Sequence, residues 1–367
     1  MLFFTRGEFE TGNIVFSQQW VGVGHQWQPL SFSRHACLRN ASLKASLMHQ
    51  KAIDKPQAAT RHPDAQAGFV RQLDMRITQH LSRLSPAPAR LVEAARDAMS
   101  SGKRLRPYLL HLVAGDAADG DAVMDMAVAL EMVHTASLIV DDLPSMDNAM
   151  LRRGRPTTHA AFGEATAILT AIGLLNHAIS IANALPDTDA ATRNAMVAIL
   201  SGVMGWQGLV AGQELDLNGF SEADHDSAEP LGRIARINAL KTGALLCAAV
   251  EVGAILGGRA DDERSLLRRF GEDLGQAFQI ADDLIDMLAD SASIGKDCRQ
   301  DDGKETYLAV YGVEEAFNRC RALLASADEA LVRAGLSPDP FRQMIQAIFD
   351  PMLERVPQSG SKAGAAR

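Results

Sequence analysis

The chain has 367 residues, of which 47% are hydrophobic, and a formal net charge of -9 at pH 7. This length and composition supply enough apolar side chains for one large domain or two ordinary ones. The negative net charge argues against a nonspecific nucleic-acid binder, because such a protein needs a surplus of basic residues to contact phosphates.

Residues 1–47 differ from the rest of the chain. They contain two of the three tryptophans, Trp20 and Trp27, and show little helical periodicity. They lack a basic segment followed by an apolar core, so we do not expect a secretory signal. We interpret them as a disordered extension, or as residues upstream of a true start at Met48. The expected domain spans residues 48–357, and residues 358–367 have the composition of a flexible tail.

Between residues 64 and 357 the pattern is one of successive helices. Apolar residues such as Phe69, Leu73 and Ile77 recur every three or four positions, which is typical of an amphipathic helix. Alternation between apolar and polar residues, bounded by hairpin turns, is absent, so we expect no strands. The prediction is one all-α domain of about ten helices. Helices are expected from 64 to 84, over 91–99, from Arg106 onward, and over 121–143, 164–185, 190–213, 229–257, 262–289, 313–335 and 340–355.

Two predicted helical segments, 127–140 and 164–175, are apolar on nearly every face, so other helices must cover them. This predicts a bundle with central helices, or a helix buried in a subunit interface. No run reaches the roughly 18 uncharged apolar residues of a membrane helix, so no integral membrane segment is expected. We expect a cytoplasmic protein with free thiols, because no CxxC pair or metal spacing is present. The four cysteines are Cys37, Cys247, Cys298 and Cys320.

Two aspartate clusters follow long apolar segments. One reads Asp141-Asp142-Leu-Pro-Ser-Met-Asp147 and the other Asp282-Asp283-Leu-Ile-Asp286. Two like charges about 4 Å apart repel by roughly 4 kcal/mol at an effective dielectric near 20, so such clusters need cationic partners. Ligands that are all oxygen atoms favour Mg²⁺. The alternative for either cluster alone is a solvated helix end, but two such clusters after buried helices make it less favourable.

Local geometry should draw each cluster together. The second cluster has spacings of three and four residues, which place its carboxylates on one side of a helix. In the first cluster, Pro144 should end the helix near Leu143, so Asp147 must fold back to join Asp141.

Separate basic clusters accompany the acidic ones. Gly102-Lys103-Arg104-Leu105-Arg106 combines a helix start with three cations, and both features suit a phosphate ligand. Any single basic group is more often a solvated surface residue. Together with the acidic clusters, however, the set predicts a diphosphate held partly through metal and partly by direct ion pairs. The other basic residues are Arg152, Arg153, Lys241, Lys296 and Lys304.

Six ordered motifs in residues 64 to 350 resemble the trans-polyprenyl diphosphate synthases. They are GKRLRP, EMVHTASLIVDDLPSMDNAMLRRGRPTTH, GLVAGQELDL, KTGALL, GQAFQIADDLID and GKD. The similarity is greatest to the bacterial geranylgeranyl diphosphate synthase branch of carotenoid and diterpenoid pathways. One stretch departs from the family pattern: Ala171-Ile172-Gly173-Leu174-Leu175 replaces the common Gly-Asp-Ala-Leu-Leu. The resemblance implies an isoprenoid-synthase helical bundle around a central cavity, and a homodimer.

The resemblance also implies a role for each motif residue. About three Mg²⁺ ions would bind the allylic diphosphate, held by Asp141, Asp142, Asp147, Asp282, Asp283 and Asp286. The allylic diphosphate would also contact Arg152, Lys241, Lys296 and Lys304, with Thr242 and Gln279 beside it. Isopentenyl diphosphate would bind Lys103, Arg106, His134 and Arg153. Catalysis would rest on Asp141, Asp142, Asp147 and Asp282, together with Lys241 and Arg152.

Product length should depend on the residues one helical turn, about 5.4 Å, before Asp141. These are Ala136 and Ser137, both small, so the apolar channel can continue and the expected product is geranylgeranyl diphosphate, with twenty carbons. The first alternative is a farnesyl diphosphate synthase. Others are a noncatalytic subunit of a heteromeric synthase, which would usually lack an aspartate cluster, and a class I terpene cyclase, which has no use for the isopentenyl-binding residues.

Overall fold

The computed structural model describes residues 64–84, 86–220, 230–292 and 307–353, and four short strands between residues 7 and 29. Side chains are described for 65–84, 86–220, 231–284 and 307–346. The chain divides into two compact units, Met1–His62 and Pro63–Arg367. In the first unit, β1 (Gly7–Glu10) pairs with β2 (Val15–Gln18), and β3 (Trp20–Val23) with β4 (Gln26–Pro29). The predicted limits at residues 47 and 357 stay predictions.

The described residues of the second unit are almost all helical, which confirms the all-α prediction. A π-helical turn, Ala239–Gly243, joins the helices Pro230–Asn238 and Ala244–Leu256. A 3-10 turn, Gly115–Ala117, follows the helix Leu105–Ala114. Its helices are α1 (Asp64–Ser82), α2 (Ala89–Met99), α3 (Leu105–Ala114), α4 (Asp121–Asp141), α5 (Thr158–Phe162), α6 (Glu164–Asn183), α7 (Ala190–Met204), α8 (Leu209–Asn218), α9 (Pro230–Asn238), α10 (Ala244–Leu256), α11 (Asp261–Ala292), α12 (Tyr307–Arg333) and α13 (Asp339–Leu353).

Helix α4 is the centre of the bundle. It packs against α1, α2, α3, α6 and α10, and Met126, Leu130 and Val133 on it are fully buried. Its apolar surface is covered on nearly all sides, as its composition predicted. Asp141 is the last residue of this central helix and Asp142 follows it directly, so the core fixes where the first aspartate cluster begins.

Four helical segments are long and apolar enough to cross a membrane by length and composition, contrary to the expectation that no run reaches that limit. A helix at the centre of a bundle has the same composition. In the fold, 72% of the apolar 18-residue stretch within Asp121–Asp141 is buried, whereas 28% of the corresponding stretch within Ala190–Asn218 is buried. That the chain has no integral membrane segment stays a prediction. The segments are Asp121–Asp141, Glu164–Asn183, Ala190–Asn218 and Leu231–Leu256.

Two further sequence predictions need correction. The single helix expected over 190–213 is broken after Met204, and α8 starts at Leu209. At the break, a Cβ on Gly208 would lie 2.1 Å from the carbonyl oxygen of Val203, so only glycine permits this approach. A short hairpin also forms where no strand was expected, between β5 (Leu151–Arg152) and β6 (Arg155–Pro156). Its strands are too short to show alternation.

A buried ionic cluster ties α1 to α4. The carboxylate of Asp125 accepts hydrogen bonds from Nε of Arg76 at 2.5 Å and from Nε2 of His80 at 2.8 Å. Burial acts to raise the pKa of Asp125, but the hydrogen bonds from His80 and Arg76 outweigh burial and lower it. Because Asp125 is 7% exposed, these contacts are protected from water.

We expect Asp125→Asn to lower the free energy of unfolding by about 2 kcal/mol, because it removes the charged acceptor shared by buried His80 and partly buried Arg76. Urea unfolding would measure the loss. Since the folded-state pKa of Asp125 is lowered, its contribution should be complete above the ordinary value of 3.8 and disappear as the pH falls through the folded-state pKa. Asp116→Asn, at an exposed position, is the control and should change little.

Candidate active site

The first aspartate cluster lies where α4 ends. Asp141 is the last helical residue, and the backbone N–H of Asp147 donates to its carbonyl oxygen at 2.9 Å. The chain therefore folds back after Pro144, as the sequence predicted. Burial raises the pKa of Asp141 to about 6; Lys241 opposes this effect and Asp147 adds to it. A carboxylate in this environment is stabilised by added positive charge.

The hairpin between β5 and β6 supplies two cations. Arg153 and Gly154 form its turn and both have positive φ, at 55° and 75°, which is the type I′ geometry of tight hairpins. Arg152 forms a fork on Asp142, with Nε 2.9 Å from both carboxylate oxygens and Nη2 2.7 Å from one. Burial acts to lower the pKa of Arg152, but the hydrogen bonds and charge of Asp142 raise it. Asp142, predicted as a metal ligand, thus faces an arginine.

The predicted isopentenyl-binding cations lie beside α4. Nη1 of Arg106 is 3.3 Å from Nε2 of His134, and arginine has no acceptor, so this imidazole nitrogen accepts the hydrogen bond. Burial and the charge of Arg106 lower the pKa of His134 well below its ordinary value. Burial also lowers the pKa of Arg106. Among the described atoms, Nε of Arg106 is buried with no hydrogen-bond partner, which fits an anionic ligand.

The three cations expected at the start of α3 do not act alike. Lys103 is exposed and Arg106 partly buried, whereas Arg104 is only 3% exposed. Arg104 has φ 51° and ψ 32°, a left-handed conformation that costs about 1–2 kcal/mol for a residue with a Cβ. Its guanidinium turns inward and pairs with Glu131 on α4 at 2.7 Å. The basic motif thus contains one buried and two more accessible cations.

The π-helical turn positions Lys241 and Thr242. Nζ of Lys241 lies 2.6 Å from Oδ2 of Asp216 on α8. α8 can approach the turn because Gly212 has no side chain: a Cβ there would lie 2.6 Å from the backbone nitrogen of Lys241. Asp216 is four positions after Gly212, so both lie on one face of α8. Such π turns occur frequently at functional sites.

The second cluster lies on α11 and is linked to the π-helical turn. Thr242 Oγ1 donates to Gln279 Oε1 at 2.7 Å, and Gln279 Nε2 donates to Asp283 Oδ1 at 3.0 Å. The charge of Asp282 acts to raise the pKa of Arg106, against the larger effect of burial. The side chain of Asp286, with Lys296 and Lys304, lies outside the described residues.

Residues with no predicted role also contribute to the site. Asp216 and Glu131 pair with predicted or neighbouring cations, and Arg155 pairs with Asp97 on α2, which attaches the hairpin to the bundle. Both Asp216 and Glu131 lie within the motifs quoted above, so their position in a motif was the sequence feature that could have identified them. Several of these residues line a cavity between α2, α4 and the hairpin, whose walls include Asp97, Ser101, Glu131, His134, Thr135, Asp142, Arg152, Arg153, Arg155 and Thr157.

The donor chemistry of the aspartate clusters fits a hard divalent cation, because every candidate ligand is a carboxylate. The elevated pKa of Asp141 shows that added positive charge would be favourable there. In the part of the chain with described side chains, no three carboxylate, histidine or cysteine groups already converge closely enough to hold a metal ion. The predicted ligand set extends beyond that part through Asp286.

The two predicted length-determining residues lie on α4 just before the cluster. Ala136 is fully buried in the core. Ser137 is partly buried, and its Oγ donates to the carbonyl oxygen of His134 at 2.8 Å. The role in product length stays a prediction.

Comparison with known proteins gives a consistent result. The polyprenyl synthetase family matches residues 88–333. A geranylgeranyl diphosphate synthase of Pantoea ananas is 41% identical over 314 residues, covering 81% of this chain and 98% of that protein. A farnesyl diphosphate synthase of Escherichia coli (strain K12) is 36% identical over 276 residues, covering 73% of this chain and 91% of that protein.

Solved structures agree with the sequence comparisons. The structure of an FPP/GFPP synthase from Zymomonas mobilis has a TM-score of 0.63 and 35% identity, covering 74% of this chain and 92% of that one. A geranyltransferase from Legionella pneumophila has a TM-score of 0.68 and 29% identity, covering 79% of this chain and 97% of that one.

We expect inorganic pyrophosphate with Mg²⁺ to raise the melting temperature, since a ligand at a hundred times its Kd stabilises the folded state by about 2.7 kcal/mol. Arg152→Gln should weaken pyrophosphate binding about tenfold by removing a charge-assisted contact. Differential scanning fluorimetry would measure the ligand-induced shift, which separates binding from any change in intrinsic stability. Arg333→Gln on α12 is the control. The absence of a shift in the wild type would contradict a pyrophosphate site.

Proposed function

The chain belongs to the polyprenyl synthetase family, and we propose that it is a geranylgeranyl diphosphate synthase. It would condense isopentenyl diphosphate head to tail with dimethylallyl, geranyl and farnesyl diphosphates. The observation that carries this proposal is the buried Nε of Arg106, which has no hydrogen-bond partner among the described atoms and whose guanidinium feels the charge of Asp282. In this proposal, cations for one diphosphate and carboxylates for a metal-bound diphosphate would form a single site.

The isopentenyl half of the site would bind its diphosphate directly. Arg106 and Arg153 supply fixed guanidinium groups, and Lys103 supplies a mobile ammonium group at the surface. Neutral His134 accepts from Arg106 and so orients that guanidinium toward the substrate. Because burial lowers the pKa of Arg106 and Arg153, an incoming anion would regain the charge stabilisation that burial removes.

The allylic half would hold the diphosphate that leaves. Arg152 and Lys241, now paired with Asp142 and Asp216, would contact it directly, with Lys296 and Lys304 proposed as further cations. Bound Mg²⁺ would supply additional electrostatic stabilisation of the leaving diphosphate. The ions, about three in number, would be held by Asp141, Asp142, Asp147, Asp282, Asp283 and Asp286.

Carbon–carbon bond formation requires no protein nucleophile in this proposal. Ionisation of the allylic carbon–oxygen bond leaves a cation, which the double bond of isopentenyl diphosphate attacks. The released diphosphate would take the proton lost in the last step. Thr242 and Gln279, joined by a hydrogen bond, would border the allylic carbon and hold that diphosphate in place.

A farnesyl diphosphate synthase is the second candidate, supported by the similarity to the enzyme of that name from Escherichia coli. The small side chains of Ala136 and Ser137 favour the longer product, because an aromatic residue there would close the channel. Noncatalytic-subunit and terpene-cyclase functions remain outcomes of the product assay. Use of the product in a carotenoid pathway and a cytoplasmic location stay predictions.

We also propose a homodimer. Ile168, Leu169 and Ile172 on α6 are 43%, 54% and 50% exposed, and together they form an apolar surface on one helix. An exposed apolar surface of this kind is typical of a protein interface. A second copy of the chain would cover it.

Product analysis would test the proposed function. Purified protein with Mg²⁺, isopentenyl diphosphate and each allylic primer should give a twenty-carbon alcohol after dephosphorylation, separated by chromatography. Ala136→Tyr and Ser137→Phe should each shift the main product to fifteen carbons by filling the channel. Ser137→Ala is the matched control and should leave length unchanged. A fifteen-carbon wild-type product would favour the second candidate; no product, or turnover without isopentenyl diphosphate, would contradict both.

The dimer proposal predicts that Leu169→Glu dissociates the protein, because burying an unpaired carboxylate at an apolar interface costs several kcal/mol. Sedimentation velocity would measure the association state. Val332→Glu, on a 58% exposed apolar residue of α12, is the matched control and should leave the dimer intact. A monomeric wild type would refute the proposal.

A further inference from the structure

We propose that Arg104 and Glu131 form a buried positioning pair for the isopentenyl diphosphate site, and that neither residue contacts substrate. The pair would fix the Gly102–Lys103 turn and the guanidinium of Arg153. This inference rests on the proposed function, and it adds a specific task for two residues that carry no role in it.

Arg104 has no donor left for a ligand. Its Nε and Nη2 contact Oδ1 of Asp74 at 3.1 and 3.0 Å, and Nη1 donates to Glu131 at 2.7 Å. Nη1 also donates to the carbonyl oxygen of Ser101, and Nη2 to that of Met99. These contacts use the five N–H donors of a guanidinium. Arg104 therefore acts within the protein, although its sequence neighbours face the site.

The contacts of Arg104 surround the turn that carries Lys103. Met99 and Ser101 precede this turn, and Arg104 itself adopts a left-handed conformation at its end. Such a conformation persists in a residue with a Cβ only where surrounding contacts enforce it. The buried guanidinium therefore determines the path of the backbone between α2 and α3, and with it the positions of Lys103 and Arg106.

Glu131 extends the same constraint to the hairpin. A methyl group placed on Gly102 would lie 3.0 Å from Oε1 of Glu131 and 3.1 Å from Nη1 of both Arg104 and Arg153. Three charged groups thus converge on one glycine. The charge of Glu131, itself 3% exposed, opposes the effect of burial on Arg106 and Arg153. This buried carboxylate pairs with Arg104 and acts electrostatically on Arg106 and Arg153, so it links the three guanidinium groups. Asp74 is a second and more exposed partner of Arg104.

The test is Arg104→Lys, which keeps the charge beside Glu131 but loses the planar set of five donors. We expect the Kd of isopentenyl diphosphate, measured by calorimetry, and its KM to rise about tenfold. The KM of farnesyl diphosphate should change less than twofold, and kcat at saturation should be largely retained. Arg96→Lys, at an exposed position of α2, is the matched control.

A second variant keeps the inference testable if Arg104→Lys does not fold. Arg104→Met combined with Glu131→Gln removes both charges, which buried pairs often tolerate, and should show the same selective loss of isopentenyl diphosphate affinity. If either folded variant binds isopentenyl diphosphate as the wild type does, or loses affinity equally for both substrates, the inference is overturned. A wild type that makes no prenyl product refutes the proposed function itself, and the inference with it.

Discussion

The site depends on holding like charges together at the partly buried ends of helices. Three of these charges have a local partner: Asp142 pairs with Arg152, Lys241 with Asp216, and Arg104 with Glu131. Where balance is incomplete, the pKa shows it, as for Asp141, whose pKa burial raises to about 6. A diphosphate would supply the negative charge that the arginine and lysine groups lack. Divalent cations would supply the positive charge that the aspartate clusters lack.

Backbone conformation makes this arrangement of charges possible. Gly102 leaves room for three charged groups, and Gly212 lets α8 approach the π-helical turn at Lys241. Arg104 and Arg153 adopt positive φ although both carry long side chains. Strained residues of this kind concentrate at functional sites because the surrounding contacts must enforce them. Site geometry is therefore set by the main chain as much as by side-chain identity.

The sequence predicted the helical fold well because apolar periodicity persists along helices such as α1 and α11, and because α4 and α6 are long and apolar on nearly every face. It failed at Gly205–Gly208, where close backbone contact breaks a helix, and at β5–β6, whose two-residue strands carry no period. Motifs predicted which residue types gather in the site, and the family is confirmed. They could not reveal which carboxylate neutralises which cation. Glu131 looked like part of an apolar helix, and Arg104 like one more surface cation.

The contacts of Arg104 bear on how the protein folds. Its partners Asp74 and Glu131 are 30 and 27 residues away in the chain. Arg153 donates to the carbonyl oxygen of Ser101, and these two residues are 52 positions apart. Contacts between such distant residues form only after long loops have closed. Local helices can form early, but this half of the site is assembled only when α1, α4 and the hairpin have docked. A partly folded chain with much native helix would therefore still be inactive.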